Sequence, residues 1–192
     1  MDSASYDAHV ARLRTLVADA KDWSDDTGRC SFETEADGHV SPALRRAVVD
    51  GARLLRAICD GCQEIQFDLW RANPAIEENP SFDTEVLNAV AHEVESVAGT
   101  CRDEAEKLSQ HHEQRAQLVL QRPVRKRKRE AAARADVLYS VADLDEHAWW
   151  SVHRTVRGCA MQVEALVATM VKNQERALAG ATSRRGGLTM VC

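Results

Sequence analysis

The sequence predicts an all-α protein, an antiparallel bundle of four long helices, and three observations lead there. Glycine and proline are scarce, at 9 and 4 in 192 residues, while Ala, Leu, Glu, Arg and Val are plentiful, a balance that favours helix. Apolar residues recur at alternating steps of three and four, the spacing of one helix face. No stretch alternates apolar and polar residues with the period of two that a strand would need. The hydrophobic share of 44% is enough to build a core, and the length fits one domain.

The first helix is the weakest in pattern. It is expected over about 5–23, carried by Val10, Leu13, Leu16 and Val17, with a loop rich in Asp, Gly, Ser and Thr over 24–40. Ser41-Pro42 marks the second start: Ser can cap, and the Pro ring is already set for the first helical position. This helix runs to Asn73, where Pro74 stops it. Val48, Leu55, Cys62 and Leu69 repeat every seven residues, with Ile58 and Ile65 between them, over a length of roughly 45 Å. A third helix is expected from about Phe82 to Gln121, with a stripe of Val86, Val90, Val94, Val97, Cys101, Ala105 and Leu108. Arg122-Pro123 ends it, and a basic, Ala-rich connection leads to about Val141. The fourth helix is expected from Asp143, with Glu146 completing a capping-box-like start, to Gly180. Its face is Val152, Val156, Cys159, Val163, Leu166, Met170, Asn173 and Ala177. A small, polar tail from Ala181 ends in apolar Leu188, Met190 and Val191. Apolar positions beyond a narrow seam on three of the helices point to burial against neighbouring subunits.

Composition limits function more by exclusion. The net charge of −5, from 25 basic and 30 acidic residues, does not call for nucleic acid or a membrane surface as partner. No apolar run approaches the ~20 residues of a bilayer span. The opening residues lack the pattern of a secretory signal, so the expected location is cytoplasmic, nuclear or both, with the six cysteines as reduced thiols.

Chemistry-bearing motifs are few. Cys59-Asp60-Gly61-Cys62 has redox-motif spacing, but it falls in mid-helix, away from a helix N-terminus that would lower a thiol pKa. The two cysteines are therefore read as buried or half-buried thiols. The seven histidines include no Glu-x-x-His of the di-iron bundle type, and the adjacent His111 and His112 face different ways, so they are read as solvated or locally bonded. No phosphate-cradling glycine loop or nucleophile elbow occurs. The expectation is a protein that docks rather than an enzyme, with no cofactor and no metal. The run Arg125, Lys126, Arg127, Lys128, Arg129 fits a solvated linker, a nuclear localisation signal or a site for an acidic partner.

Two segments carry a family resemblance. One is Pro74-Ala75-Ile76-Glu77-Glu78-Asn79-Pro80-Ser81-Phe82 between long helices. The other is Leu144-Asp145-Glu146-His147-Ala148-Trp149, followed by Lys172-Asn173-Gln174-Glu175-Arg176. Together they resemble the eleven-S regulators, the REG or PA28 family of proteasome activators. In that family a Pro-x-Ile-Glu-Asp turn joins helices two and three. A Leu-Asp-Glu-x-x-aromatic start and a Lys-Asn-x-Glu-Lys finish mark helix four. The resemblance covers about residues 41–192, leaving 1–40 as a first helix and loop of the same bundle. Departures are Pro80 and Ser81 where polar residues are usual, and Cys192 in place of a terminal aromatic residue.

The resemblance implies a four-helix subunit in a seven-membered ring, homomeric or shared with a related subunit, that caps the proteasome core particle without ATP. It implies that a C-terminal tail, here Leu188, Thr189, Met190, Val191 and Cys192, enters pockets between the core's α subunits. It further implies an activation loop, here Ala75, Ile76, Glu77, Glu78, Asn79, Pro80, Ser81 and Phe82, that pushes the gate open. The residues suit those tasks: Pro74 and Pro80 stiffen the turn, Glu77 and Glu78 offer charge-assisted hydrogen bonds, and a terminal carboxylate suits a pocket with a Lys or backbone amides. The alternative is a self-associating helical scaffold that never touches the proteasome.

Overall fold

The computed structural model describes residues 1–28, 40–72, 82–120 and 127–186. Among them the chain forms four helices: α1 Ser3–Gly28, α2 Pro42–Ala72, α3 Phe82–Leu120 and α4 Arg127–Gly186. Asp2 caps α1, its carboxylate accepting from the Ser5 amide at 2.8 Å while its carbonyl takes the first helical bond, from the Tyr6 amide. At the start of α2, the Ser41 carbonyl accepts from the Arg45 amide at 3.0 Å, with Pro42 as first helical residue.

Cross-helix pairs fix the directions. His9 meets Asp68 at 2.9 Å and Arg12 pairs with Glu64, so α1 and α2 are antiparallel. Lys21 reaches Glu164 at 2.7 Å and Gln174 reaches Asp7 at 2.7 Å, which sets α1 antiparallel to α4. Arg115 meets Asp145, while Gly180 lies on Asp83, so α3 and α4 also run in opposite directions. The bundle is therefore up-and-down. α2 and α4 touch each other across its middle, and each also packs on both α1 and α3. Gly51 permits the α2–α4 approach: a Cβ there would meet the Val152 and Val156 methyls at 3.0 and 3.3 Å and the Trp23 ring at 3.4 Å.

One continuous core fills the bundle. All six seam residues expected on α2, Val48, Leu55, Ile58, Cys62, Ile65 and Leu69, are buried. So are Val10, Leu13 and Val17 of α1, with Leu16 packed against them, and every expected α4 position from Val152 to Met170. On α3 the first stripe position is corrected: Leu87 is buried and Val86 is only half-buried, because the seven-residue repeat of Val94, Cys101 and Leu108 extends back to Leu87.

The fourth helix differs more. It begins at Arg127, sixteen residues before the expected start at Asp143, and takes in the expected linker from Arg127 onward. Arg127 to Ala135 consists of strong helix formers, and neither Gly nor Pro intervenes before Gly158. Asp143 and Glu146 are exposed inside the helix, where an acidic pair costs little. Nor does Gly180 end α4, which continues to Gly186. α1 is likewise longer than expected and includes Ser24 to Gly28. No described helix is long and apolar enough to cross a membrane.

Candidate functional site

The end of the bundle where α2 stops and α3 starts also receives the N-terminus of α1 and the last turns of α4. Tyr6, fully buried, donates its hydroxyl to the Met170 carbonyl at 2.9 Å. Burial pushes its pKa up to about 12, so the phenol keeps its proton and the α1–α4 bond persists across the physiological range.

Phe82, the last residue of the expected activation loop, is the first residue of α3 and is 60% exposed. Arg176, from the Lys172-Asn173-Gln174-Glu175-Arg176 segment, holds its guanidinium 5.0 Å from the Phe82 ring centre. Phe82, the last residue of one stretch that carried the resemblance, thus meets Arg176, the last residue of another. Of the rest of that segment, Asn173 donates back to the Thr169 carbonyl at 2.9 Å, Gln174 holds Asp7, and Lys172 and Glu175 are exposed. One turn beyond Arg176, Gly180 presses on the first turn of α3. A Cβ at 180 would stand 2.6 Å from the Asp83 carbonyl oxygen and 3.1 Å from the Thr84 nitrogen, so no side chain fits without moving backbone. The acidic Asp83 and Glu85 in that turn suit the positive end of the α3 dipole. Ala75, Ile76, Glu77, Glu78, Asn79, Pro80 and Ser81 of the expected loop lie outside the described residues, as do Leu188, Thr189, Met190, Val191 and Cys192 of the expected tail.

At the far end of α4, Arg127, Lys128 and Arg129 form its first turn, and Arg125 and Lys126 lie outside the described residues. The Leu144-to-Trp149 motif stands between that turn and the bundle's middle, and its two best-marked residues are structural. Asp145, 1% exposed, accepts from Arg115 Nε at 3.1 Å on both oxygens and faces His111 Nε2 at 3.1 Å. Trp149 is buried in the core, edge-on to His153 at 4.9 Å. His153 also stacks on Trp23 at 5.4 Å, and neither of its ring nitrogens has a hydrogen-bond partner. Burial holds its pKa below the usual histidine value.

The expectation of solvated or locally bonded histidines fails for these two, since His111 bonds across helices and His153 is packed between indoles. The signal for His111 and Arg115 was available: they prolong the α3 stripe after Leu108 at the same three-to-four spacing. Cys59 and Cys62 are both buried in mid-α2. Among the described residues, no group of three or more His, Cys, Asp or Glu side chains is placed to hold a metal ion.

The family model "Proteasome activator PA28, C-terminal" matches residues 47–181, from the second turn of α2 to the last turns of α4. A crystal structure of the 11S subunit of the Plasmodium falciparum proteasome, PA28, matches with a TM-score of 0.67 at 12% sequence identity. The match covers 93% of this chain and 90% of that one, and at this identity it speaks for the fold. No curated protein sequence matches the chain.

Proposed function

Since the chain belongs to the PA28 family of proteasome activators, we propose that it is one subunit of a ring that caps the proteasome core particle without ATP and raises its peptide hydrolysis. In this reading the tail Leu188 to Cys192 supplies affinity, binding pockets between core α subunits. The loop Ala75 to Phe82 displaces the gate. The observation that carries the reading is the meeting of Phe82 with Arg176 and of Asp83 with Gly180. These contacts join the first turn of α3, which follows the proposed loop in sequence, to the end of α4, which precedes the proposed tail. In this reading, tail binding brings the same end of the bundle, and with it the loop, against the core particle.

Assembly is supported by exposed large apolar side chains along the helices. Phe67 and Trp70 on α2 are 65% and 52% exposed, and Trp150 and Met161 on α4 are 58% and 60% exposed. Several tails acting together multiply weak affinities.

The test is peptide hydrolysis by purified core particles in ATP-free buffer, with light scattering on the activator alone. A stable oligomer that stimulates hydrolysis is the expected result. A folded oligomer that leaves hydrolysis unchanged would favour the scaffold reading instead.

A further inference from the structure

The four described cysteines gather in the core from three helices: Cys59 and Cys62 on α2, Cys101 on α3 and Cys159 on α4. Cys101 and Cys159 face each other closely enough across the α3–α4 seam for each thiol to perturb the other's hold on its proton. The helix register gives the same pairing independently. Fourteen residues, about four turns, separate Arg115 from Cys101, and the same fourteen separate Asp145 from Cys159. Arg115 and Asp145 are bonded, so two antiparallel helices bring the two thiols level. Cys159, buried at 3% exposure, is within electrostatic reach of Glu104 and Lys107 on α3, whose side chains pair at 2.5 Å.

We propose that Cys101 and Cys159 are an oxidation-sensitive pair that forms a disulfide stapling α3 to α4 when the protein meets hydrogen peroxide. The two thiols are suited to different roles. Contact with Cys101 lowers the Cys159 pKa, against burial and the Glu104 carboxylate, which raise it, and with Lys107 adding a smaller lowering. That same contact, with burial, keeps the proton on Cys101. The Cys159 thiolate attacks one peroxide oxygen. The O–O bond breaks, and hydroxide leaves and takes a proton to become water, with a sulfenic acid left on Cys159. The Cys101 sulfur then attacks the Cys159 sulfur. The S–S bond forms, the S–O bond breaks, and the oxygen leaves as water with the Cys101 proton. Two thiols are oxidised to one disulfide while one peroxide is reduced to two waters.

The neighbouring cysteines do not compete equally. Burial pushes the Cys62 pKa up to about 12, so it stays a thiol and a poor nucleophile. A Cys59–Cys62 bond would join consecutive turns of α2 and constrain nothing between helices. A Cys101–Cys159 bond fixes the register of the two helices that carry Phe82 and Arg176. Its closed loop is long, which favours a large stabilising effect.

The experiment treats the full-length chain with hydrogen peroxide, followed by non-reducing peptide mapping and thermal melting before and after dithiothreitol. The expected product links the Cys101 and Cys159 peptides with loss of two hydrogens. It should raise the melting midpoint by roughly 5–10 °C, reversed by dithiothreitol. Cys159→Ser and Cys101→Ser should each abolish the shift, while Cys62→Ser should keep it. The wild-type map decides even if a variant folds poorly. A different intramolecular pair, a Cys159 oxidised to sulfinic acid without a cross-link, or a cross-link that leaves the midpoint unchanged would overturn the proposal.

Discussion

The Arg176 guanidinium lies 5.0 Å from the centre of the Phe82 ring, so the end of α4 is tied to the first residue of α3. Phe82 is 60% exposed, and a cation–π contact at such a site is worth about 0.5–1 kcal/mol. The contact is therefore too weak to matter for folding, and it bears on the first residue of α3. Phe82→Ala or Arg176→Ala should lower peptidase stimulation while shifting the melting midpoint by no more than about 3 °C. Parallel melting and hydrolysis assays check this. Unchanged stimulation would remove the contact from the mechanism.

Gly180→Ala sets two effects against each other. Alanine in a helix interior gains about 1 kcal/mol over glycine. Its Cβ, however, would stand 2.6 Å from the Asp83 carbonyl oxygen, a backbone atom that cannot rotate away. Overpacking of this kind costs about 1–3 kcal/mol, so the net change should be destabilising, with reduced stimulation. Urea denaturation reads the sign, and a more stable variant would refute the close approach.

The Asp145 carboxylate and the Arg115 guanidinium are almost wholly enclosed, at 2% and 10% side-chain exposure. Asp145→Ala leaves a buried cation, and His111 loses its partner too. The cost should be about 3–5 kcal/mol by chemical denaturation. Replacing both Asp145 and Arg115 with apolar residues should recover much of that loss. If the double variant were worse than the single, the pair would stabilise the bundle rather than only satisfy itself.

Stability should fall in mild acid. An unfolded imidazole titrates near 6.5, while burial lowers the folded values of both His153 and His112. For His112 the nearby His111, Arg45 and Arg115 add to the lowering, against a raising effect from Asp145. Below about pH 6.5 the unfolded chain binds protons that the folded chain refuses, so unfolding gains ground as pH drops toward the folded pKa values. Above that range the effect vanishes. His153→Phe should flatten the slope of melting midpoint against pH between 7 and 5, and an unaltered slope would show that His153 does not contribute.

The bundle was legible in the sequence where one helix face is uniformly apolar. The α2 seam from Val48 to Leu69 keeps its spacing across most of the helix, and a pattern that long has no competing reading. The start of α4 was misread because Asp143 and Glu146 carry a local capping signal that means nothing once neighbouring turns continue the helix. Gly180 was misread because a glycine that ends a helix and one that admits another backbone look alike in sequence. Which polar groups pair across helices, as Asp145 does with Arg115, depends on inter-helix register, which no local spacing reveals. An antiparallel bundle already puts the turn after α2 and the end of α4 at one end, but the specific contact of Phe82 with Arg176 depends on register and was not legible.

Loop and tail should separate by function. Deleting Met190 to Cys192 should weaken binding, with stimulation partly recovered at high activator concentration, because losses multiply across several tails. If the deletion changed neither binding nor activity, the tail would have no docking role.

The most direct test of the central claim compares the wild-type chain with Glu77→Lys and Glu78→Lys on purified core particles in ATP-free buffer, measuring binding and peptide hydrolysis side by side. The account predicts that the wild type binds and stimulates, while the loop variants bind nearly as well and fail to stimulate even at saturation. A wild-type chain that is folded and oligomeric yet neither binds the core particle nor raises its hydrolysis would contradict it.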